Sequence, residues 1–371
     1  MGQKRILHVI EYFNIAGAEI IVKNLILNLP HSQWQTEVCV LNDSGVLGKE
    51  LQALGYNIYP LNWRKEKLTD IQLAQKLRSI IRGNHIDLVH AHNLTPWYFT
   101  VLATLSKRLK RCVTLHGFIR GEGSSKKKIL YSLLSRFTSR IIIVSEEIEN
   151  QLCNIPFLNM KKVEVILNGI DIKIPGQGFE RNEKKKSLGF SEDDFVIGTV
   201  GRIFPEKNIE MQIELIHSLL PQVPSIKLAV VGNKYAYVKN LEDLVKRLKI
   251  QDKVLFLGLR RDIPELLRAF DIFVMTSFSE GTSLALLEAM ASGLPVIASD
   301  VGGNGGIISH GENGILFDVT SLEALRYHVL ELYNDAEERL RLGNRAKIVG
   351  EKYSIQSMVD HYHHLYLRIF N

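Results

Sequence analysis

Short runs of β-branched and apolar residues alternate with longer amphipathic stretches along nearly the whole chain, and the alternation occurs twice. In the first half RILHVI, TEVCVL, HIDLVHA, CVTLHG and RIIIVS are separated by helical spacing near 17–29, 71–82, 96–106 and 126–137, and KVEVILNGID closes the series. In the second half DFVIGTVGRI, IKLAVVG, KVLFLG, DIFVMTS and LPVIASDV alternate with helical spacing near 207–220, 239–249 and 262–269. NGILF and helices near 321–333, 335–350 and 354–369 follow. Apolar strands without polar alternation belong to parallel sheets covered on both faces. Strand–helix alternation with right-handed crossovers builds doubly wound α/β units. The expected architecture is therefore two Rossmann-like α/β domains facing each other, over 1–170 and 195–353. Residues 171–194 carry Pro175, Gly176, Gly178 and a charge run, and read as a linker. A chain of 371 residues has the length for two domains. Ligands of such sheets sit beyond the carboxyl ends of the strands, so the loops after the strands are where chemistry is expected.

Composition narrows the class. With 46% hydrophobic and 23% charged residues the chain is an ordinary globular protein. No run reaches about 18 uninterrupted apolar residues, so no spanning helix is expected. The start MGQKRILHVIEYF breaks its apolar run at Glu11 without a small-residue cleavage site, which reads as a cytosolic start. Cys39, Cys112 and Cys153 lack metal-site spacing and read as small buried hydrophobes. The net charge of +6 is uneven, with 22 Lys+Arg against 13 Asp+Glu in residues 1–170. The densest basic parts are Lys107, Arg108, Lys110 and Arg111, then Arg120 with Lys126, Lys127 and Lys128, then Arg136 and Arg140. Such a face suits an anionic membrane surface, or is simply solvated. Nucleic acid is not expected as a partner, because basic and aromatic residues are not interleaved.

Several strand ends carry candidate residues. Gly17, in AGAE after the first strand, lets a ligand approach a helix start, though an ordinary turn reads the same way. VGRIFPEK places Arg202 at a strand end and Lys207 at the next helix start, two cations able to grip a diphosphate or to make incidental surface pairs. His116 in TLHG ends another strand, suited to a sugar hydroxyl or to a structural hydrogen bond. His90 and His92 in VHAHN have no third ligand nearby in sequence and read as structural rather than metal-binding. The glycines of VGGNGG, 301–306, lack the acid that a dinucleotide site would need downstream.

EGTSLALLE, 280–288, is the most specific stretch. Glu280 falls beyond a strand, where it can accept hydrogen bonds from ligand hydroxyls. Gly281, Thr282 and Ser283 form a turn and N-cap, and the helix beginning at Leu284 presents its partial positive charge to a phosphate. Glu288 lies about 7.5 Å further along that helix. The pair suits a sugar at one end and a ribose diol at the other; alternatively Glu288 pairs with a buried cation.

Together, Glu280 and Glu288 in E-x7-E, Arg202 and Lys207 in VGR…EK, His116 in LHG, NGID at 168–171 and LEAMASGLPVIASDVGG at 287–303 resemble the retaining GT-B glycosyltransferases of family 4 over essentially the whole length. The resemblance implies the GT-B fold, two Rossmann-like domains with a cleft between them. The first would bind acceptor, with the C-terminal helix packing back on it over 354–371, and the second the nucleotide-sugar donor. It implies that Arg202 and Lys207 hold the diphosphate and that Glu280 with the following backbone, Gly281 to Leu284, holds the sugar. Glu288 would hold the ribose, Gly17 would approach the phosphates, and His116 would contact the sugar. Catalytic roles would fall to His116, Glu280, Arg202 and Lys207. Transfer would retain configuration by a front-face reaction in which the leaving phosphate assists deprotonation of the acceptor. The absence of a DxD sequence fits a metal-independent reaction, and no cofactor is expected beside the donor, expected to be a UDP-sugar. Two positions depart from the family pattern: Ala16 replaces a glycine before Gly17, and Gly306 stands where a glutamate is common.

The expected acceptor is a glycan or lipid-linked glycan in capsule, exopolysaccharide or lipopolysaccharide assembly, met in the cytoplasm or on the inner face of the plasma membrane. A nucleotide-sugar 2-epimerase on the same fold and a degenerate, non-catalytic partner subunit are the alternative readings.

Overall fold

The computed structural model describes residues 3–105, 109–117, 125–171, 179–233 and 237–371. The chain divides into two compact units, Met1–Gly169 with Ile355–Asn371, and Ile170–Ser354.

The first unit begins with β1 (Lys4–Ile10), α1 (Gly17–Asn28), β2 (Trp34–Val40), α2 (Gly45–Ala53), β3 (Ile58–Pro60), α3 (Asp70–Gly83), β4 (Leu88–His92) and α4 (Leu94–Thr104). It continues with β5 (Lys110–Leu115), α5 (Ser125–Arg136), β6 (Arg140–Ile143), α6 (Glu146–Cys153) and β7 (Val163–Val165). All seven strands are parallel, in the order β3-β2-β1-β4-β5-β6-β7. Succession across the sheet reverses between β1 and β4, which makes that crevice the switch point.

The second unit contains α7 (Arg181–Ser187), β8 (Phe195–Val200), α8 (Ile209–Leu219), β9 (Ile226–Val231), α9 (Val238–Arg247), β10 (Val254–Gly258) and α10 (Ile263–Ala269). Next are β11 (Ile272–Met275), α11 (Leu284–Ala291), β12 (Val296–Ser299), α12 (Asn304–Ile307), β13 (Ile315–Phe317), α13 (Leu322–Asn334) and α14 (Ala336–Gly350). Its parallel sheet runs β10-β9-β8-β11-β12-β13, with the switch point between β8 and β11. Ile197, Val274 and Ile297 enter the core on one face, while their neighbours Val196, Phe273 and Val296 enter the core on the other. A strand buried on both faces has no polar side to spell, which explains the unbroken apolar runs.

The last helix, α15 (Ile355–Phe370), belongs to the first unit. Its Tyr362 and Tyr366 are fully buried, and Trp34 on β2 donates through Nε1 to Nδ1 of His363 at 2.8 Å.

Four expectations change. The span 171–194 is not simply a linker: Ile170–Ser354 forms one unit, and α7 is fastened into it. Arg181 pairs with Asp271 at 2.7 Å, and the buried Lys185 reaches the other oxygen of Asp271 at 3.1 Å and the carbonyl of Asp194 at 2.7 Å. The charge run that suggested a linker thus binds a strand end; residues 172–178 lie outside the described residues. Arg111 is not part of a basic surface: it is buried and donates to Oγ1 of Thr104 at 2.6 Å and to the carbonyl of Phe137 at 3.1 Å. Lys107, Arg108 and Arg120 lie outside the described residues. Cys153 is exposed at the end of α6, whereas Cys39 and Cys112 are buried. Finally, His90 and His92 do have a third histidine beside them, His8 from the neighbouring strand β1.

Candidate functional site

The second sheet gathers its candidate residues at the switch point. After β8, Ile203 is buried and Arg202 is left exposed, its guanidinium 5.7 Å from the centre of the Phe204 ring. Arg202 makes no ion pair among the described residues. Pro205–Lys207 forms one 3-10 turn, and Asn208, in the left-handed region at φ 50°, hands the chain to α8. The hydroxyl of Thr276, just past β11, lies 3.0 Å from the carbonyl of Lys207 and 2.8 Å from that of Asn208. Gln212 donates to the same hydroxyl at 2.9 Å, so the two strand ends are laced together.

That lacing brings Lys207 to Glu280. Its ammonium bonds Oε1 of Glu280, an oxygen that also accepts from the Ser277 hydroxyl at 2.6 Å. Glu280 is buried, and these two donors replace the water it has lost. An ammonium has three donors, so Lys207 retains capacity for an anion. A recess next to the pair is lined by Thr199, Gly201, Arg202, Lys207, Gln212 and Ser277.

The turn after Glu280 is clamped by the GG of VGGN. Gly303 donates to the carbonyl of Glu280 at 3.1 Å, and a Cβ on Gly303 would stand 2.3 Å from the carbonyl oxygen of Gly281. Only hydrogen fits there. Gly302 beside it has φ 59°. This support role is what the sequence motif carried without a reason being visible. Ser283 caps α11, its Oγ accepting from the N–H of Leu286 at 3.4 Å. The first-turn N–H groups of Leu284 and Ala285 have no partner inside the helix by their position, and present donors with the positive helix end. Gly281 and Thr282 are half-buried in this turn. Gly306 faces open space, with nothing within 4 Å of an added Cβ.

Glu288 stands one turn further along α11. It has no cation and no side-chain hydrogen bond among the described residues. Burial first, and the negative Asp171 second, push its carboxyl up to about 7. The alternative of a carboxylate neutralised by a buried cation is therefore absent here. Asp171, from NGID, is a neighbour that sequence spacing did not reveal, because 117 residues separate the two positions.

The first unit holds Gly17 and His116. Gly17 opens α1, and Ala16 before it is extended at φ −151°, a conformation open to any residue, so the missing glycine costs the backbone nothing. The N–H of His116 donates to Oδ1 of Asn93 at 2.9 Å, and Asn93, at φ 69°, donates its own N–H to the carbonyl of Thr114 at 2.8 Å. His8, His90 and His92 each offer a ring nitrogen within 4.8 Å of one another. Both nitrogens of His90 are engaged, by the Tyr366 hydroxyl at 2.7 Å and the Thr114 hydroxyl at 2.8 Å. No carboxylate joins the group among the described residues. An ion bound through His90 would have to displace one of these two bonds.

A family model described as glycosyl transferases group 1 matches residues 180–349, and one described as glycosyltransferase family 4 matches residues 15–174. The Escherichia coli UDP-Gal:alpha-D-GlcNAc-diphosphoundecaprenol alpha-1,3-galactosyltransferase is 28% identical over 319 residues, covering 81% of this chain and 80% of its own. An uncharacterized glycosyltransferase of Methanocaldococcus jannaschii is 30% identical over 295 residues, covering 76% and 75%. Anabaena HepE, solved in complex with UDP, superposes with a TM-score of 0.86 over 98% of this chain and 100% of that one, at 22% identity. The fold is thereby that of GT-B glycosyltransferases.

Proposed function

This chain belongs to the group 1 glycosyltransferases, and on that premise we propose that it transfers a sugar from a UDP-sugar, with retention and without a metal ion, to a glycan or lipid-linked acceptor in cell-surface polysaccharide assembly. The observation that carries the donor reading is the Lys207–Glu280 pair set beside Arg202 and the open first turn of α11. Arg202 and Lys207 line one recess, and preorganised cations of this kind, with the N–H donors of a helix start, would stabilise the charge that develops on a departing diphosphate. Glu280, held by Lys207 and Ser277, keeps further lone pairs for sugar hydroxyls. Glu288 takes the ribose diol. In the step itself the bond from the anomeric carbon to the diphosphate oxygen breaks and the acceptor oxygen bonds on the same face. The acceptor's proton passes to the departing diphosphate. Uridine and a lipid-linked acceptor are supported by the E. coli relative's name, and uridine by the UDP bound to HepE.

The test is a thermal-shift comparison of uridine, guanosine and adenosine diphosphates in chelator, with wild type, Arg202→Ala and Glu288→Ala. UDP is expected to raise the melting temperature of wild type alone. A shift that needs magnesium, or one that survives both substitutions, would remove the metal-free donor site proposed here.

A membrane contact fits the same reading. No described helix is long and apolar enough to cross a membrane. On α5, however, Ile129 (66% exposed) and Leu133 (50%) lie one turn apart, with Phe137 (38%) a further turn on. Lys126, Lys127 and Arg136 are exposed around this apolar stripe. That combination suits an anionic bilayer surface, on the inner face of the plasma membrane in the proposed role. Flotation with phosphatidylglycerol vesicles at low salt is expected, with Ile129→Glu and Leu133→Glu together releasing the protein. Equal recovery with neutral vesicles would defeat the electrostatic part.

A further inference from the structure

Phe157 stands where a chain ordinarily places glycine. Its φ is 61°, in the left-handed region, and it follows Pro156, whose ring fixes φ near about −65°. The N–H of Leu158 donates to the carbonyl of Ile155 at 3.3 Å, so Ile155–Leu158 is a type II turn, whose third position favours glycine or asparagine because a Cβ is crowded there. The other non-glycine residues at positive φ among the described residues are Asn, His or Lys. Phe157 is also 87% exposed, more than any other large apolar side chain among the described residues. Single exposed apolar residues are ordinary, but one held outward at a conformational cost is not.

The turn is fastened on both sides. Ile155 and Leu158 are buried in the core that α5 and α6 share over β5 and β6. Asn159 caps the 3-10 turn that follows, Met160–Lys162, its side chain accepting from the N–H of Lys161 at 3.1 Å. Nζ of Lys162 donates to the carbonyl of Ser135, in the last turn of α5, at 2.9 Å. Burial first, and the charge of Arg140 second, lower the pKa of that ammonium, which puts Arg140 beside it. The loops after α5 and α6 therefore adjoin at the edge where the parallel strands β6 and β7 begin, and Phe137 lies in the first of them. Residues 133–140 and 153–162 carry Arg136, Arg140, Lys161 and Lys162 and no carboxylate. Glu164 beyond them is paired with Arg368.

We propose that Phe157 is a membrane anchor, an aromatic ring that the Ile155–Leu158 turn holds out for insertion among the headgroups of an anionic bilayer, while the exposed Arg136 and Lys161 meet lipid phosphates. This deepens the membrane reading of α5 above and rests on it, since Phe137 ends that apolar stripe and Phe157 continues it onto the neighbouring loop. An anionic bilayer supplies both partners the patch needs, negative charge at the surface and hydrocarbon just beneath it. A second copy docked by a two-fold axis would set the same four cations against each other. A ring already fixed outward also loses little freedom on insertion, which gives the strained turn its use.

The test is flotation of the full chain with phosphatidylglycerol vesicles at low salt, comparing wild type with Phe157→Asn and Phe157→Trp. Asparagine suits the third position of the turn, so Phe157→Asn is expected to keep or raise the melting temperature while its recovery with vesicles falls several-fold. Phe157→Trp is expected to float as wild type does, and the fluorescence it adds to be quenched by bromine-labelled lipid. The UDP thermal shift is expected to be unchanged in both. Phe157→Asn floating as well as wild type overturns the proposal, as does an unquenched signal from vesicle-bound Phe157→Trp, and either result leaves the α5 reading standing. A wild type that stays with the soluble fraction overturns both. Dimers in sedimentation that Phe157→Asn abolishes, without flotation of wild type, would reassign the ring to self-association and overturn the anchor.

Discussion

Glu288 and Glu280 show how one sequence pattern holds two different physical situations. Glu280 is buried but compensated by Lys207 and Ser277, whereas Glu288 is enclosed near Asp171 without a cation. The carboxyl of Glu288 is raised from 4.5 to about 7, so its folded-state preference for the proton contributes stability that is full below about pH 4.5 and lost as pH rises through about 7. Glu288→Gln removes that loss. Urea unfolding is expected to show the variant about 1–3 kcal/mol more stable than wild type at pH 8 and nearly equal to it at pH 4.5, the range allowing for partial exposure. A stabilisation that does not change with pH would mean the carboxyl is not raised. Sequence spacing identified both glutamates as candidates, but could not separate them, because the compensating and opposing charges come from other strand ends.

At the scale of elements, the loop–helix unit of β11 and α11 depends on a neighbour that makes no hydrogen bond to ligand in any reading. Gly303 is pressed against Gly281 so closely that Gly303→Ala must move one of two backbones. A cost of about 1–3 kcal/mol is expected, together with loss of the UDP thermal shift. Ser283→Ala, which frees the N–H of Leu286, is expected to cost about 1 kcal/mol. A Gly303→Ala protein that binds UDP as wild type does would show the turn to be more compliant than its packing implies. The long periodic helices and the apolar strands were legible from sequence. The short elements α2, α6 and α7 were not, since about two turns of mixed polarity carry too little periodic signal, and α7 in particular spells a charge run that only its buried partner Asp271 makes structural.

For the molecule as a whole, the two units respond to acid in opposite senses. The first holds His8 buried and His116 half-buried, with their pKa lowered by desolvation to about 3 and about 4, so the unfolded chain binds protons first; that stability is full above about pH 6.5 and is lost as pH falls toward 4 and 3. The second gains from protonation of Glu288 over part of the same range. Hydrogen exchange, corrected for intrinsic rates, is therefore expected to show β1, β4 and β5 losing protection between pH 7 and 5 while α11 keeps or gains it. Equal loss in both units would show that the buried histidines do not dominate the acid response. The sequence by itself determined the fold class, the two-sheet organisation and the strand-end residues at which a donor could bind, because burial on both faces and helix periodicity are written locally. Tertiary structure alone decided that Arg111 and Lys185 are interior, that Lys207 belongs to Glu280 and Glu288 stands near Asp171, and that His8 completes a histidine row. Those pairings are set by strand order and register, which place residues far apart in the chain at neighbouring strand ends, and no local pattern encodes that adjacency.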